Sequence, residues 1–512
     1  MKKFSAILKA ILPVMLAIVG MSACSSSSED DPKPSGDDKV TVNPTSINFD
    51  ATQQAPVELT VKSSKQVTVS SMASWCKVTP MGPRDGGYGY TAKCDDNTGD
   101  ARQTTIKVYV SGKEAASVAV SQAAYVAPEP DDPTPPTPPV TNPTDGLGLG
   151  WNLGNQFDSH VNEVANETGW GNPAVTQQTM NRVKELGFTS VRIPVTWLGK
   201  VGDAPDYKID QQWLDRVAEA VGYAKNAGLK VVINIHHDGA NSQYWLDVKN
   251  AAKSEATNTA IKAKLSAMWK QIAQKFADKG DFLYFESMNE IHDGGWGWGD
   301  NRKDNGKQYK VFNEWQQVFV DAVRSAGGQN TSRWLGIPTY CTNIDLGDHL
   351  VMPSDPAGKL MVAVHCYEPN DFTLTDKYSE WGHTASVAKK HPTSDEKTLV
   401  AEFDKVVNKW IKKGIPAYIG EFGCVHRSTA RSESFRKYYL EYFCKAAADR
   451  GIPIIIWDNG STASGNEANG LLNHGTGAGI NGGDEIMRMM SNAYFSTDPA
   501  YTLQSVYNGA PK

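Results

Sequence analysis

Two glutamates are placed where a pair of carboxyl groups can work together. They are Glu290 in Met288-Asn289-Glu290 and Glu421 in Ile419-Gly420-Glu421-Phe422-Gly423. A protonated carboxyl hands a proton to a leaving oxygen while an ionised one attacks, and together they open an acetal. Carboxyls ~5–5.5 Å apart suit a covalent displacement with retention; a gap of ~6.5–9.5 Å leaves room for water and inversion. Arg192, in Ser190-Val-Arg-Ile-Pro194, can keep a buried carboxylate ionised. His365 and Tyr367 share one face of Val364-His-Cys-Tyr-Glu368 at period two, which turns Cys366 away. Asn289 offers an amide to a substrate hydroxyl. Asn289 and Glu290 are adjacent, so both reach the substrate only if the strand ends or bulges there. His236 shares parity with Asn234 and is expected to face the same site, with His237 structural. Trp457 supplies a flat apolar floor.

These residues are far apart in the chain, so a scaffold must gather them. Eight β-rich runs alternate with amphipathic helices after residue 144: Leu149–Leu153, Ser190–Val195, Lys230–Ile235, Phe282–Met288, Trp334–Ile337, Leu360–His365, Ala417–Glu421 and Ile452–Trp457. The helices include Gln211–Asn226, Asn258–Asp278, Tyr309–Ala326, Thr398–Lys413 and Ser432–Ala448, with Gly228 and Gly414 at C-cap positions. Eight βα units predict a (β/α)8 barrel, whose catalytic groups sit at the C-terminal ends of strands. Glu290 then closes the fourth strand and Glu421 the seventh. A doubly wound sheet is the alternative, but Gly148-Leu-Gly150-Trp-Asn-Leu-Gly154 reads as strand rather than phosphate loop.

Other acidic and metal-ligating residues compete for attention. Glu286 has the parity of Glu290 but lies deeper, where a structural carboxylate paired to a cation is expected. His236, His237, Asp238, His292 and Asp293 lack the spacing of a metal motif, and neighbouring histidines on a strand diverge. The Gly-rich stretch Asp293-Gly-Gly-Trp296-Gly-Trp298-Gly-Asp300 offers two tryptophans as a platform, and Trp170, Trp197, Trp245 and Trp381 are further candidates to line a cleft.

The rest of the chain bounds the setting. A length of 512 residues exceeds one ordinary domain, and a net charge of −6 argues against nucleic acid. Residues 1–23 read as an export signal: Lys2, Lys3 and Lys9 precede an apolar run too short to span a bilayer. Residues 24–38 are a polar tether. Residues 39–124 alternate apolar and polar residues in short runs and predict a small all-β immunoglobulin-like sandwich. Residues 125–143, rich in proline, predict a semi-rigid linker, and residues 144–512 the barrel. Cys76 and Cys94 can bridge outside the cytoplasm, though free buried thiols are the blander expectation.

Four resemblances sharpen this reading. Gly150-Trp-Asn-Leu-Gly-Asn155, Glu167-Thr-Gly-Trp-Gly-Asn-Pro173, Val191-Arg-Ile-Pro-Val-Thr-Trp197, Ile233-Asn-Ile-His-His-Asp238, Met288-Asn-Glu290, His365-Cys-Tyr367, Ile419-Gly-Glu-Phe-Gly423 and Trp457-Asp458 together resemble glycoside hydrolase family 5, most closely its subfamily 4. The resemblance implies a retaining endo-β-1,4-glucanase without cofactor or metal. It implies Glu290 as acid/base, Glu421 as nucleophile, and Arg192, His236, Asn289, His365, Tyr367 and Trp457 as binding or supporting residues. The substrate is then a plant β-glucan of cellulose, xyloglucan, mixed-linkage or glucomannan type. Trp75-Cys-Lys-Val78, Asp96–Arg102 and Val118–Gln122 resemble the BACON domain. Met21-Ser-Ala-Cys24 resembles a lipobox, and Ser25–Asp31 a Bacteroidetes surface-export tag. These imply lipidation of Cys24 and a monomeric outer-membrane lipoprotein at the cell surface. The rival from another class is a non-catalytic glycan-binding lipoprotein.

Overall fold

A computed structural model describes residues 39–52, 55–84, 87–124 and 146–512. The export signal, Cys24 and the proline-rich linker lie outside the described residues. The chain divides into two compact units, residues 1–130 and 131–512.

The first unit holds two four-stranded sheets. One orders Thr41–Asn43, Val57–Lys62, Gly87–Cys94 and Cys76–Arg84; the other orders Ser46–Phe49, Lys113–Gln122, Arg102–Val110 and Val67–Ser71. Period-two alternation explains the core. In Val57–Lys62, Leu59 and Val61 point inward while Glu58 and Lys62 face water. They meet Ile106, Val108, Val118 and Val120 from the other sheet in one apolar cluster. Cys76 and Cys94 are opposed across neighbouring strands as free, buried thiols, and burial pushes Cys94 up to about 12.

The second unit is a closed barrel of eight parallel strands. In chain order they are Leu149–Leu153, Ser190–Ile193, Lys230–Ile233, Leu283–Glu286, Leu335–Pro338, Leu360–His365, Ala417–Phe422 and Ile454–Asp458. Closure excludes the doubly wound alternative. Gly150 belongs to the first strand, and a side chain there would meet Ser190 Oγ at 2.4 Å. This glycine serves close strand approach rather than phosphate binding.

The second, third and fourth strands end two residues earlier than their apolar runs predict. After Ile193 comes Pro194, which has no N–H to give the ladder. Beyond Ile233 side chains take over from the ladder: Asn234 Oδ1 accepts the Val195 amide at 3.1 Å. The helices follow their amphipathic pattern. Gln211–Asn226 is capped by Asp210, which accepts the Trp213 amide at 2.8 Å, and it buries Trp213, Leu214, Val217, Val221 and Ala224. Gly228 and Gly414 follow their helices with φ +75° and +78°, the left-handed turn that stops a helix.

Inside the barrel two layers alternate by strand parity. Val232, Tyr284, Met361, Ala363, Tyr418 and Ile455 form an apolar cluster. One pleat further along their strands, Asn234 and Glu286 join Asn152 and Arg192 in a buried polar layer. The site rests on this polar floor.

Candidate active site

The fourth strand stops at Glu286, and the chain then turns so that Glu290 lines the barrel mouth while Asn289, buried beside it, bonds Arg192. Glu290 has φ +40°, a left-handed conformation that a side chain adopts only when its surroundings hold it there. The seventh strand bulges between Ile419 and Phe422, where Glu421 enters the site. Across this gap an oxygen of Glu290, an oxygen of Glu421 and a ring nitrogen of His365 all lie within 4.8 Å of one another. That close approach fits the shorter of the two separations considered above.

Arg192 ties the floor to this pair. Its Nη1 donates to Glu421 Oε1 at 2.7 Å and to Asn152 Oδ1 at 3.0 Å. Its Nη2 donates to Glu286 Oε1 at 2.7 Å and to Asn289 Oδ1 at 2.8 Å, and Nε adds a 3.2 Å bond to Glu286. All five guanidinium hydrogens are thus committed. Glu421 accepts a second bond from the Tyr367 hydroxyl at 3.0 Å. His236 Nε2 lies 4.0 Å away, and its ring stacks on Trp457 at 7° between planes.

His365 Nδ1 is 2.7 Å from Glu290 Oε1 and 3.6 Å from Glu421 Oε2. Burial pushes Glu421 above its ordinary value, and the Glu290 charge adds to that push against His365 and Arg192. Burial also pushes Glu290 up, but the bond to a charged His365 ring overrides it and draws Glu290 down. A charged ring, however, would strand a proton on His365 Nε2, which is buried without a partner. A neutral ring that donates Nδ1–H to Glu290 avoids this cost. Two carboxyls this close, one buried and one half-buried, then share one proton. Glu421 has a guanidinium and a phenol to stabilise its anion and Glu290 has one imidazole, so the proton resides on Glu290.

The site opens into a cleft of about 930 Å³. Trp457, Trp170, Trp296 and Trp298 line it, as do His236 and His237. Trp296 is 56% exposed and Trp298 is 79% exposed. Their loop is held firmly: Asp293 accepts the Gly295 and Asn301 amides, and His292 Nδ1 accepts the Gly294 amide. Arg302 covers one face of Trp298 at 4.5 Å.

Several expectations need correction. Trp197 and Trp381 do not line the cleft: Trp197 is buried and donates to the Asn234 carbonyl, while Trp381 packs among Tyr438, Tyr439 and Tyr442. Trp245 is half-buried and donates to Asp238 Oδ1 at 2.7 Å. His237 faces the cleft with His236, because the strand ends at Ile233 and its alternation no longer separates them. Cys366 touches the cleft as well as the core. Asp158, His236 and His237 come close enough to hold a metal ion. Asp158 already accepts the Asn155 and Gln156 amides, and His236 Nδ1 is bonded to Asn234. At the Glu290–His365–Glu421 cluster a cation would face the Arg192 guanidinium. The sequence reading missed Asn152 and Tyr418. Pairing of Asn152 with Arg192 across the first two strands was the available signal, and it required the register.

A barrel with two carboxyls side by side at its mouth, one of them held by a guanidinium and a phenol, beside an aromatic-lined trough, has the architecture of a glycoside hydrolase. Residues 154–463 match the cellulase family, glycosyl hydrolase family 5, and residues 58–123 match BACON. The chain belongs to glycosyl hydrolase family 5. It is 58% identical to a GH5-4 broad specificity endoglucanase from Bacteroides salanitronis, with a TM-score of 0.67 over 69% of this chain and 94% of that one. It is 30% identical to the xyloglucan-specific endo-beta-1,4-glucanase BoGH5A of Bacteroides ovatus, over 89% of this chain and 92% of the relative. Endoglucanase A of Paenibacillus barcinonensis is 36% identical over 61% of this chain and 81% of its own.

Proposed function

We propose that this protein is a retaining endo-β-1,4-glucanase that cuts plant β-glucans, xyloglucan among them. The observation that carries the mechanism is the close approach of Glu290 and Glu421. In the first step Glu421 attacks the anomeric carbon, Glu290 gives its proton to the glycosidic oxygen, and the carbon–oxygen bond breaks. Asn289, oriented by Arg192, offers its amide to the sugar 2-hydroxyl. In the second step Glu290 takes a proton from water, whose oxygen displaces Glu421 from the anomeric carbon. The neutral His365 donates to Glu290 Oε1 in both steps and leaves the transferred proton to Oε2.

Trp457 serves as a floor under the sugar at the cleavage point, with Trp296 and Trp298 as a platform beyond it. The open cleft, with four tryptophans along its lining, supports internal cleavage of a polymer. The names of the relatives support β-glucan as substrate. The lipobox-like Met21–Cys24 and the acidic stretch after it support lipidation of Cys24 and a place at the outer surface. The first unit then lies between the lipid anchor and the barrel in chain order.

Reducing-sugar release on xyloglucan, carboxymethylcellulose, mixed-linkage glucan and glucomannan tests the substrate class; no release from any would refute it. An activated 2-deoxy-2-fluoro-cellobioside should label Glu421, and a label elsewhere would reassign the nucleophile. Palmitate incorporation that persists in Cys24→Ala would refute the anchor.

A further inference from the structure

We infer that Glu286 is a positioning residue for the reaction, which grips the Arg192 guanidinium from below and so limits how much positive charge reaches Glu421. This rests on the reading of Glu421 as nucleophile.

Glu286 is fully buried and does not line the cleft, so it acts through its neighbours. It accepts Arg192 Nη2 at 2.7 Å, Arg192 Nε at 3.2 Å and Asn234 Nδ2 at 2.9 Å, and it accepts the Tyr418 hydroxyl as well. Asn234 in turn bonds His236 Nδ1 at 3.1 Å. Burial pushes the Glu286 carboxyl up, but the Arg192 charge and bonds outweigh this and keep it ionised.

The buried set is thus one guanidinium between two carboxylates. Stability alone is a weak reason to keep such a triad, because its desolvation cost often exceeds the attraction. Its geometry has another effect. With Glu286 ionised, the Arg192 charge is divided between two anions. Glu421 stays anionic yet basic enough to attack. If Glu286 were neutral, Arg192 would turn its full charge on Glu421, stabilise that anion and blunt it as a nucleophile. The bonds from Arg192 to Glu286 would also lose their charge assistance, and with it part of the hold that aims the guanidinium at Asn289.

The test compares the parent chain with Glu286→Gln and Tyr418→Phe, with pH–rate profiles on an aryl β-cellobioside and melting temperatures for each. Glu286→Gln removes a negative charge near Glu421, so the acid limb of kcat/KM should move down by about one pH unit. Its kcat should fall about 10–100-fold, with KM little changed. Tyr418→Phe leaves the Glu286 charge less shared, so its acid limb should move up by a smaller amount. Limbs that stay in place while only the melting temperature falls would show Glu286 to be structural and overturn the proposal. If Glu286→Gln does not fold, Tyr418→Phe decides alone: an upward limb supports the proposal and an unmoved one overturns it. The aryl substrate keeps this separate from polymer choice, and labelling of Glu421 checks the nucleophile independently.

Discussion

His365 bonds Glu290 through Nδ1 at 2.7 Å, while its Nε2 is buried with no partner. That asymmetry fixes the tautomer. A ring proton on Nδ1 has an acceptor, and one on Nε2 has none. Gly420 packs beside Nε2, where a side chain would approach to 3.4 Å, so no neighbouring group fills the gap. The ring is a one-sided donor, and it leaves the second oxygen of Glu290 free for substrate. Arg192 and Tyr367 treat Glu421 differently, with two donors, one of them a guanidinium shared with Glu286. Environment alone divides two identical side chains into an acid and an anion.

Loss of the acid should therefore depend on the leaving group. Glu290→Ala should slow polysaccharide cleavage about 10²–10⁴-fold. An aryl glycoside whose leaving group needs no proton should lose far less in its first step, and added azide should restore turnover with a β-glycosyl azide as product. Equal losses on both substrates would assign the acid elsewhere.

The same logic gives a signed pH shift for Tyr367→Phe. The Tyr367 hydroxyl donates to Glu421 at 3.0 Å and so favours its anion. A hydrogen bond to a charged group contributes ~1.5–3 kcal/mol, which equals about one to two pH units. Its loss raises Glu421 further above its ordinary value. Glu421 must be ionised to attack, so the acid limb of kcat/KM should move to higher pH. A limb that does not move would mean that the Tyr367 bond does not tune Glu421.

Much of this site was legible before the fold was known. His365 and Tyr367 were placed together by parity, and Arg192 by its strand end. Glu421 was placed by the apolar run that it closes. Parity failed where strands stop. His237 joined His236 because the third strand ends at Ile233, and Trp197 turned inward after Pro194 broke the second. The left-handed turns at Glu290 and Trp296 were also hidden, because each is imposed by packing rather than by residue type. Glu286 read as a structural anion. Only the contact geometry shows that it and Glu421 hold the same guanidinium.

Asp238 predicts a pH effect on stability. It is fully buried, and burial pushes it from 3.8 up to about 6 despite bonds from the Trp197 amide and Trp245 Nε1. A folded-state value above the unfolded one means the native state binds the proton more tightly, so stability falls as pH rises between the two values. The shift corresponds to ~3 kcal/mol at most. Asp238→Asn should lower stability overall and flatten the melting temperature between pH 4 and about 6 relative to the parent. An unchanged slope in Asp238→Asn would mean that Asp238 does not titrate there.

Trp298 should matter to binding and little to folding. It is 79% exposed, with Arg302 covering one face, so the other is open to a sugar ring. Truncation of an exposed side chain usually changes stability by less than ~0.5 kcal/mol. A lost aromatic stacking contact is worth ~0.5–1.5 kcal/mol. A contact held equally in ground and transition states moves KM and leaves kcat alone. Trp298→Ala should thus raise KM on polymer about two- to tenfold, with kcat and melting temperature near the parent. Short aryl glycosides that end before the platform should show no change in KM. A polymer KM equal to that of the parent would remove Trp298 from the substrate path.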